Sequence, residues 1–184
     1  IGGNITFKDD GPTVDVTAGA DAGITLQTFD AGTDGSPTDQ NSAASSAAFG
    51  GVFARTFTTG ADGAATPSLT YALSTSGGDS LLDSHGVSIN LYLISGKVVG
   101  STSTTLAGVT TANTVFHVAA DSAGVVTLTQ YQQIDHLVEG TTTSPFNDQF
   151  ASLVDTAVRL TASANIIDSD GDTASDSATV NMGA

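Results

Sequence analysis

Val87-Ser88-Ile89-Asn90-Leu91-Tyr92-Leu93-Ile94-Ser95-Gly96-Lys97-Val98-Val99-Gly100-Ser101-Thr102 carries the pattern that decides the fold. Large apolar side chains recur at every second position of 87–94, the period of a strand with one buried face. Ser95-Gly96 then separates this run from the apolar-rich run 97–102. A two-residue break containing glycine between two such runs is the mark of a tight β-hairpin.

The same alternation extends outward in both directions. It recurs at 4–8, 13–17, 24–29, 52–58 and 69–74, and again at 113–119, 125–134, 156–167 and 173–182. Gly, Asp, Asn and Ser punctuate the runs, as in Asp62-Gly63 and Ala123-Gly124. Helix signals are few: one or two turns are expected over 147–154 with Asn147 as N-cap, and a short turn at 79–84. Residues 30–48 are small and polar and read as a long surface loop; 140–147 read as a second. Strand patterning resumes after each, so neither is a domain boundary. The expectation is one all-β domain over 1–184: a two-sheet antiparallel sandwich, Ig-like or extended, with about ten strands and minimal helix.

The chain has 184 residues and a formal net charge of −15, from 19 acidic residues against 4 basic ones. All the acids but Glu139 are aspartate, a turn residue and a poor helix former, which places them in loops. Such a balance argues against nucleic acid as a partner and against anionic membrane surfaces. No apolar run reaches the roughly 18 residues of a membrane span, so direct membrane insertion is not expected. Cysteine is absent, which removes disulfides, thiol chemistry and cysteine-zinc sites. Ile1 is not a natural start, and the chain reads as a module of a longer protein.

The densest chemistry lies in two turns near the ends. One is Asp9-Asp10-Gly11-Pro12; the other is Asp168-Ser169-Asp170-Gly171-Asp172. Carboxylates at i, i+2 and i+4 around a glycine can curl onto one centre, and a hard cation such as Ca2+ takes six to eight oxygen ligands of this kind. The turn is not an EF-hand loop, because its glycine comes too early and no Glu follows at the twelfth position. The competing reading is a solvated Asp/Gly turn without an ion. Asp10 before Gly11-Pro12 has the further alternative of merely shaping the chain. Asp62 and Asp155 are weaker candidates: Asp62-Gly63 is read first as a turn pair, and Asp155, expected at the far pole, either helps a second ion or caps a turn. The turn at 168–172 separates the last two strands, and in an end-to-end module it falls at the pole where the chain begins. The two turns are therefore expected to meet, at one end of a strand that spans roughly 40 Å over 156–167.

Catalytic constellations are poor. There is no Gly-x-Ser-x-Gly elbow. His85, His117 and His136 are scattered, with His117 inside a strand pattern. Paired carboxylates for glycoside hydrolysis would normally accompany aromatic sugar platforms, and the chain has no Trp.

Several segments together resemble a known family. They are Ile5-Thr6-Phe7-Lys8-Asp9-Asp10-Gly11-Pro12, Thr70-Tyr71-Ala72-Leu73-Ser74, Phe116-His117-Val118, Gly124-Val125-Val126-Thr127-Leu128-Thr129-Gln130-Tyr131 with His136, and Leu160-Thr161-Ala162-Ser163 followed by Asp168-Ser169-Asp170-Gly171-Asp172. In this order they resemble the DUF5801-type repeat modules of giant, acidic repeats-in-toxin (RTX) bacterial adhesins. The 30–48 loop matches no part of that pattern. The resemblance implies type I secretion, display at the surface of Gram-negative bacteria, and stacked modules rigidified by extracellular calcium. Neighbouring modules of the same adhesin are the implied partners.

The resulting expectation is a non-enzymatic, calcium-binding structural or scaffold module supporting adhesion and biofilm formation. Asp168, Asp170 and Asp172 are the first candidate ligands, with Asp9 and Asp10 next. The alternative is an adhesin domain that itself binds a cell-surface glycan or protein.

Overall fold

The computed structural model describes residues 5–30, 33, 43–136 and 150–183. It contains eleven strands: β1 (Thr13–Ala18), β2 (Ala43–Ala48), β3 (Phe53–Thr58), β4 (Thr70–Thr75), β5 (Gly78–Ser84), β6 (Val87–Ile94), β7 (Lys97–Ser101), β8 (Thr114–Ala120), β9 (Val125–Gln130), β10 (Val158–Ile167) and β11 (Thr173–Asn181). Among the described residues the helical segments are short 3-10 turns at Phe49–Val52, Leu106–Gly108 and Thr111–Asn113.

One layer is the six-stranded antiparallel sheet β2-β9-β8-β7-β6-β5. Its central hairpin is the one read from 87–102: Leu93 faces Val98 across β6 and β7, and Ser95 and Gly96 both have positive φ, 49° and 78°. Positive φ at both central residues is the type I′ geometry that matches the twist of paired strands. The other layer is built from the sheet β11-β10-β4 and the two-stranded sheet β1-β3. β1 lies beside β11, and the Val16 N–H donates to the Asp176 carboxylate across the seam at 2.7 Å. The result is an all-β antiparallel sandwich.

The inner faces form one core. Ile89 and Leu91 of β6, Val98 of β7, Phe116 and Val118 of β8 and Val126 of β9 meet Leu73 of β4, and Val158, Leu160, Ala162 and Ala164 of β10. β10 alternates buried and more exposed positions almost without break, as its sequence period requires. Opposite faces carry hydroxyls that pair across strands, such as Thr161 with Thr179 at 2.8 Å and Thr13 with Thr58 at 2.7 Å.

Four local expectations fail for identifiable reasons. Residues 5–8 and 24–29 alternate like strands but form none, because no neighbouring strand offers them a ladder. Ile24 and Leu26 still pack against the core. Residues 43–48, read as loop, form β2: Ala-Ala-Ser-Ser-Ala-Ala has little strand propensity, but β9 supplies a full register from Ala43–Gln130 to Ala48–Val125. Residues 79–84 form bulged β5 instead of a helical turn. The Asp79 carboxylate accepts the Leu81 N–H and the Ser80 hydroxyl accepts the Leu82 N–H, holding Leu81 at φ 62°. Residues 150–154 are not helical; 147–149, the loop 140–147, and 31–32 with 34–42 lie outside the described residues.

Leu160 is fully buried, and a Cβ at Gly100 would stand 2.4 Å from the Phe116 ring. Leu160→Ala is expected to cost about 2–5 kcal/mol through the cavity it leaves. Gly100→Ala, which overpacks the same core, is expected to cost about 1–3 kcal/mol. Urea unfolding monitored by circular dichroism measures both.

Candidate metal centre

β10 carries the chain from one pole of the sandwich to the other. Val158 opens it near Asp155, and Ile167 closes it immediately before Asp168. Its ten residues span roughly 33 Å at about 3.3 Å per residue. The strand begins two residues later than the sequence pattern suggests, because Thr156 and Ala157 complete a turn in which the Ala157 N–H donates to the Val154 carbonyl.

The turn 168–172 closes on itself. One oxygen of Asp168, Oδ1, accepts the Gly171 N–H at 3.1 Å and the Asp172 N–H at 2.8 Å. Gly171, at φ 105°, supplies the reversal that a side-chain-bearing residue rarely adopts. The Asp62-Gly63 turn is tied to the same place: the Ser169 N–H and hydroxyl both donate to the Gly63 carbonyl, and Ala64 bridges Asp168.

The N-terminal turn arrives at this pole from the other side. A Cβ on Gly60 would sit 2.3 Å from the Asp10 carbonyl oxygen, so only glycine allows the lead-in to lie this close. A Cβ on Gly11 would approach Asp172 Oδ2 at 3.4 Å. The sequence expectation that the two acidic turns converge therefore holds. Asp9, Asp170 and Asp172 each place a carboxylate oxygen within 4.8 Å of the others, and all three are exposed.

Asp168 differs from them in being buried, at 7 % exposure. Its Oδ2 has no hydrogen-bond partner among the described residues. A buried carboxylate oxygen without a donor is costly unless a proton or a cation satisfies it. Asp10 is not part of the converging set; its N–H donates to Asp9 Oδ1 at 2.9 Å and helps fix that carboxylate. All the donors are carboxylate oxygens, without nitrogen or sulfur. That chemistry fits a hard divalent cation of the Ca2+ type better than zinc or copper.

The neighbouring Asp170 carboxyl, and then the amides of Asp172, Gly171 and Asp170, hold Asp168 below the usual carboxylate value against its own burial. Asp170 is pushed up, first by the neighbouring Asp168 carboxyl. Asp172 is pushed up first by the neighbouring Asp9 carboxyl, and then also by the charges of Asp168 and Asp62. The Asp62 contribution shows that the turn read only as a Gly-containing bend also adds to the acidic pole.

The chain matches the family described as Domain of unknown function (DUF5801) over residues 13–182. It belongs to the DUF5801 family. No curated protein matches the chain, and no solved structure does. The DUF5801 match takes in Asp168, Asp170 and Asp172, whereas Asp9 and Asp10 precede the matched residues.

Elsewhere in this DUF5801 domain the histidines do not share a site. His117 on β8 bonds the Tyr131 hydroxyl through Nδ1 at 2.9 Å; burial, then the charge of Lys97, lowers its pKa. His136 Nδ1 lies 3.5 Å from Asp30 Oδ2. His85 and Gly86 donate their N–H groups to the Asp135 carboxylate, which anchors the β5–β6 turn. A cavity of about 790 Å3 opens between the layers beside Asp30, Gln130 and His136, and its walls are mainly apolar. Asp155 sits at the far pole, where Asn181 Nδ2 donates to it at 3.4 Å.

A raised folded pKa means that Asp172 favours folding when protonated, below its ordinary value near 3.8, and that this contribution is lost as pH rises through the folded value. At neutral pH in chelator, Asp172→Asn is therefore expected to raise the melting temperature. The gain should vanish once the pH is low enough to protonate Asp172 in the parent protein. Thermal melts of both proteins across that pH range check the sign.

Proposed function

We propose that this DUF5801 domain is a non-enzymatic structural module of a secreted RTX-type adhesin, rigidified by Ca2+ at its acidic pole. The observation that carries this reading is the orphaned, buried Asp168 Oδ2 beside the converging carboxylates of Asp9, Asp170 and Asp172. A divalent cation would take that oxygen and cancel the repulsion among its neighbours. It would also join residues far apart in sequence, since Asp9 precedes β1 and the other three lie in the last hairpin. Binding would thus stabilise the fold by linkage and fix the lead-in to the body of the sandwich.

Supporting the adhesin setting are the family resemblance, the −15 charge and the absence of cysteine. In a low-calcium cytosol such a chain repels itself and stays loose, which suits export in an unfolded form. In millimolar extracellular calcium it closes. The module would then act in a cell-surface stalk, bracing neighbouring modules of the same adhesin during adhesion and biofilm formation.

Calcium at about a hundred times its dissociation constant should add about 2.7 kcal/mol of stability, which for a domain this size raises the melting temperature by about 5–10 °C. Asp168→Asn retains an oxygen for the two amides of the turn and removes the orphaned carboxylate oxygen. It should keep its fold in EDTA and lose most of the calcium response. A parent protein whose melt is the same in calcium and in EDTA would refute the proposal.

A further inference from the structure

We infer that the cavity between the two layers binds a small apolar molecule bearing a single protonated amine, with its tail against core side chains and its ammonium on Asp30. This binding site goes beyond the structural role proposed above and does not depend on the cation.

The cavity, about 790 Å3, falls within the range of about 300–1,000 Å3 typical of small-molecule sites. Phe49, Phe116, Val118, Leu128 and Ile134 help to wall it, and the first three are buried members of the core. Side chains around so large a gap forgo dispersion contacts that a matching apolar guest restores. The segment 24–30 runs along it. Its residues alternate like a strand but form none, and all seven, from Ile24 to Asp30, line the cavity. Phe29 is 57 % exposed and Phe150 69 %, and both line the same cavity. Large apolar side chains left at the surface where they edge a concave site mark a place for a ligand.

One polar group of the cavity is held firmly and is only half satisfied. Gln130 is buried, at 3 % exposure, and its Nε2 donates to Asp30 Oδ1 and, at 2.9 Å, to the Gln132 carbonyl. The Ile134 N–H donates to the same Asp30 oxygen at 3.2 Å. Oδ1 is thus taken. Among the described residues Oδ2 meets only His136 Nδ1, at 3.5 Å, longer than an ordinary N–H···O bond of about 2.7–3.2 Å. A ligand ammonium on Oδ2 makes a charge-assisted hydrogen bond, the strong kind. Asp30 also sets the sign of the head group. The Asp30 carboxylate and the net charge of −15 repel a carboxylate or a phosphate and attract a cation. Apolar walls with one fixed charge are the ordinary make-up of a site that orients a small amphiphile.

Isothermal titration calorimetry of the full chain at neutral pH in millimolar calcium tests this, with octylamine, ethylamine, octanol and octanoate as probes. Octylamine should bind at a single saturable site. Ethylamine, with the same charge and little tail, should bind more weakly by about a hundredfold or more. Octanol should bind about tenfold more weakly than octylamine, and octanoate not measurably. Asp30→Asn keeps an oxygen for Gln130 and Ile134 and removes the charge; it should weaken octylamine binding by about tenfold or more. Asp15→Asn removes the same charge from an exposed position on β1 and should leave binding unchanged. Ala151→Trp fills the cavity from its half-buried wall and should abolish binding; if that variant does not fold, Asp30→Asn still gives the answer. Octylamine that does not saturate a site would overturn the inference. So would octanol, octanoate or ethylamine binding as tightly as octylamine. Binding unaffected by Asp30→Asn, or weakened equally by Asp15→Asn, would overturn it too, because it would mark general attraction to an acidic surface. The calcium response of the thermal melt is a separate readout, so the cation site stands or falls independently.

Discussion

Mutual repulsion among carboxylates at one pole is the constraint around which the rest of this sandwich is arranged. Asp9, Asp170 and Asp172 are held close together, and Asp168 is buried beside them with one oxygen unmet. The scaffold that imposes this proximity is rigid. The Asp168 turn is locked by two amides, strapped to Gly63 by Ser169, and approached from the other side by a backbone pressed against Gly60. None of these contacts relieves the crowding of the carboxylates.

The sandwich beneath the pole has a different source of stability. Its two layers share a core of Val, Ile, Leu and Phe without disulfides, and the seam between β1 and β11 is held partly by the Asp176 carboxylate on the Val16 amide. The amides of Val16 and then Ser177 lower the pKa of Asp176, so this contribution is present above its ordinary value near 3.8 and is lost as pH falls through the lowered one. Asp170 and Asp172 respond in the opposite sense. Aspartates in one molecule therefore serve two ends: some staple backbone, and others await neutralisation.

The period-two runs were enough to establish an all-β sandwich, because a strand with one buried face must alternate, and β6, β10 and β11 do so plainly. The Asp-rich turns were equally plain, since no other fold element gathers that many short carboxylates. Pairing, however, is a property of neighbours. Alternation in 5–8 and 24–29 produced no strand for want of a partner, whereas the featureless Ala-Ala-Ser-Ser-Ala-Ala became β2 because β9 lay open beside it. The burial of Asp168, the exclusion of Asp10 from the cluster and the contribution of Asp62 were likewise settled only in three dimensions. Each depends on which backbone groups from distant segments reach a carboxylate first, and linear spacing carries no record of that.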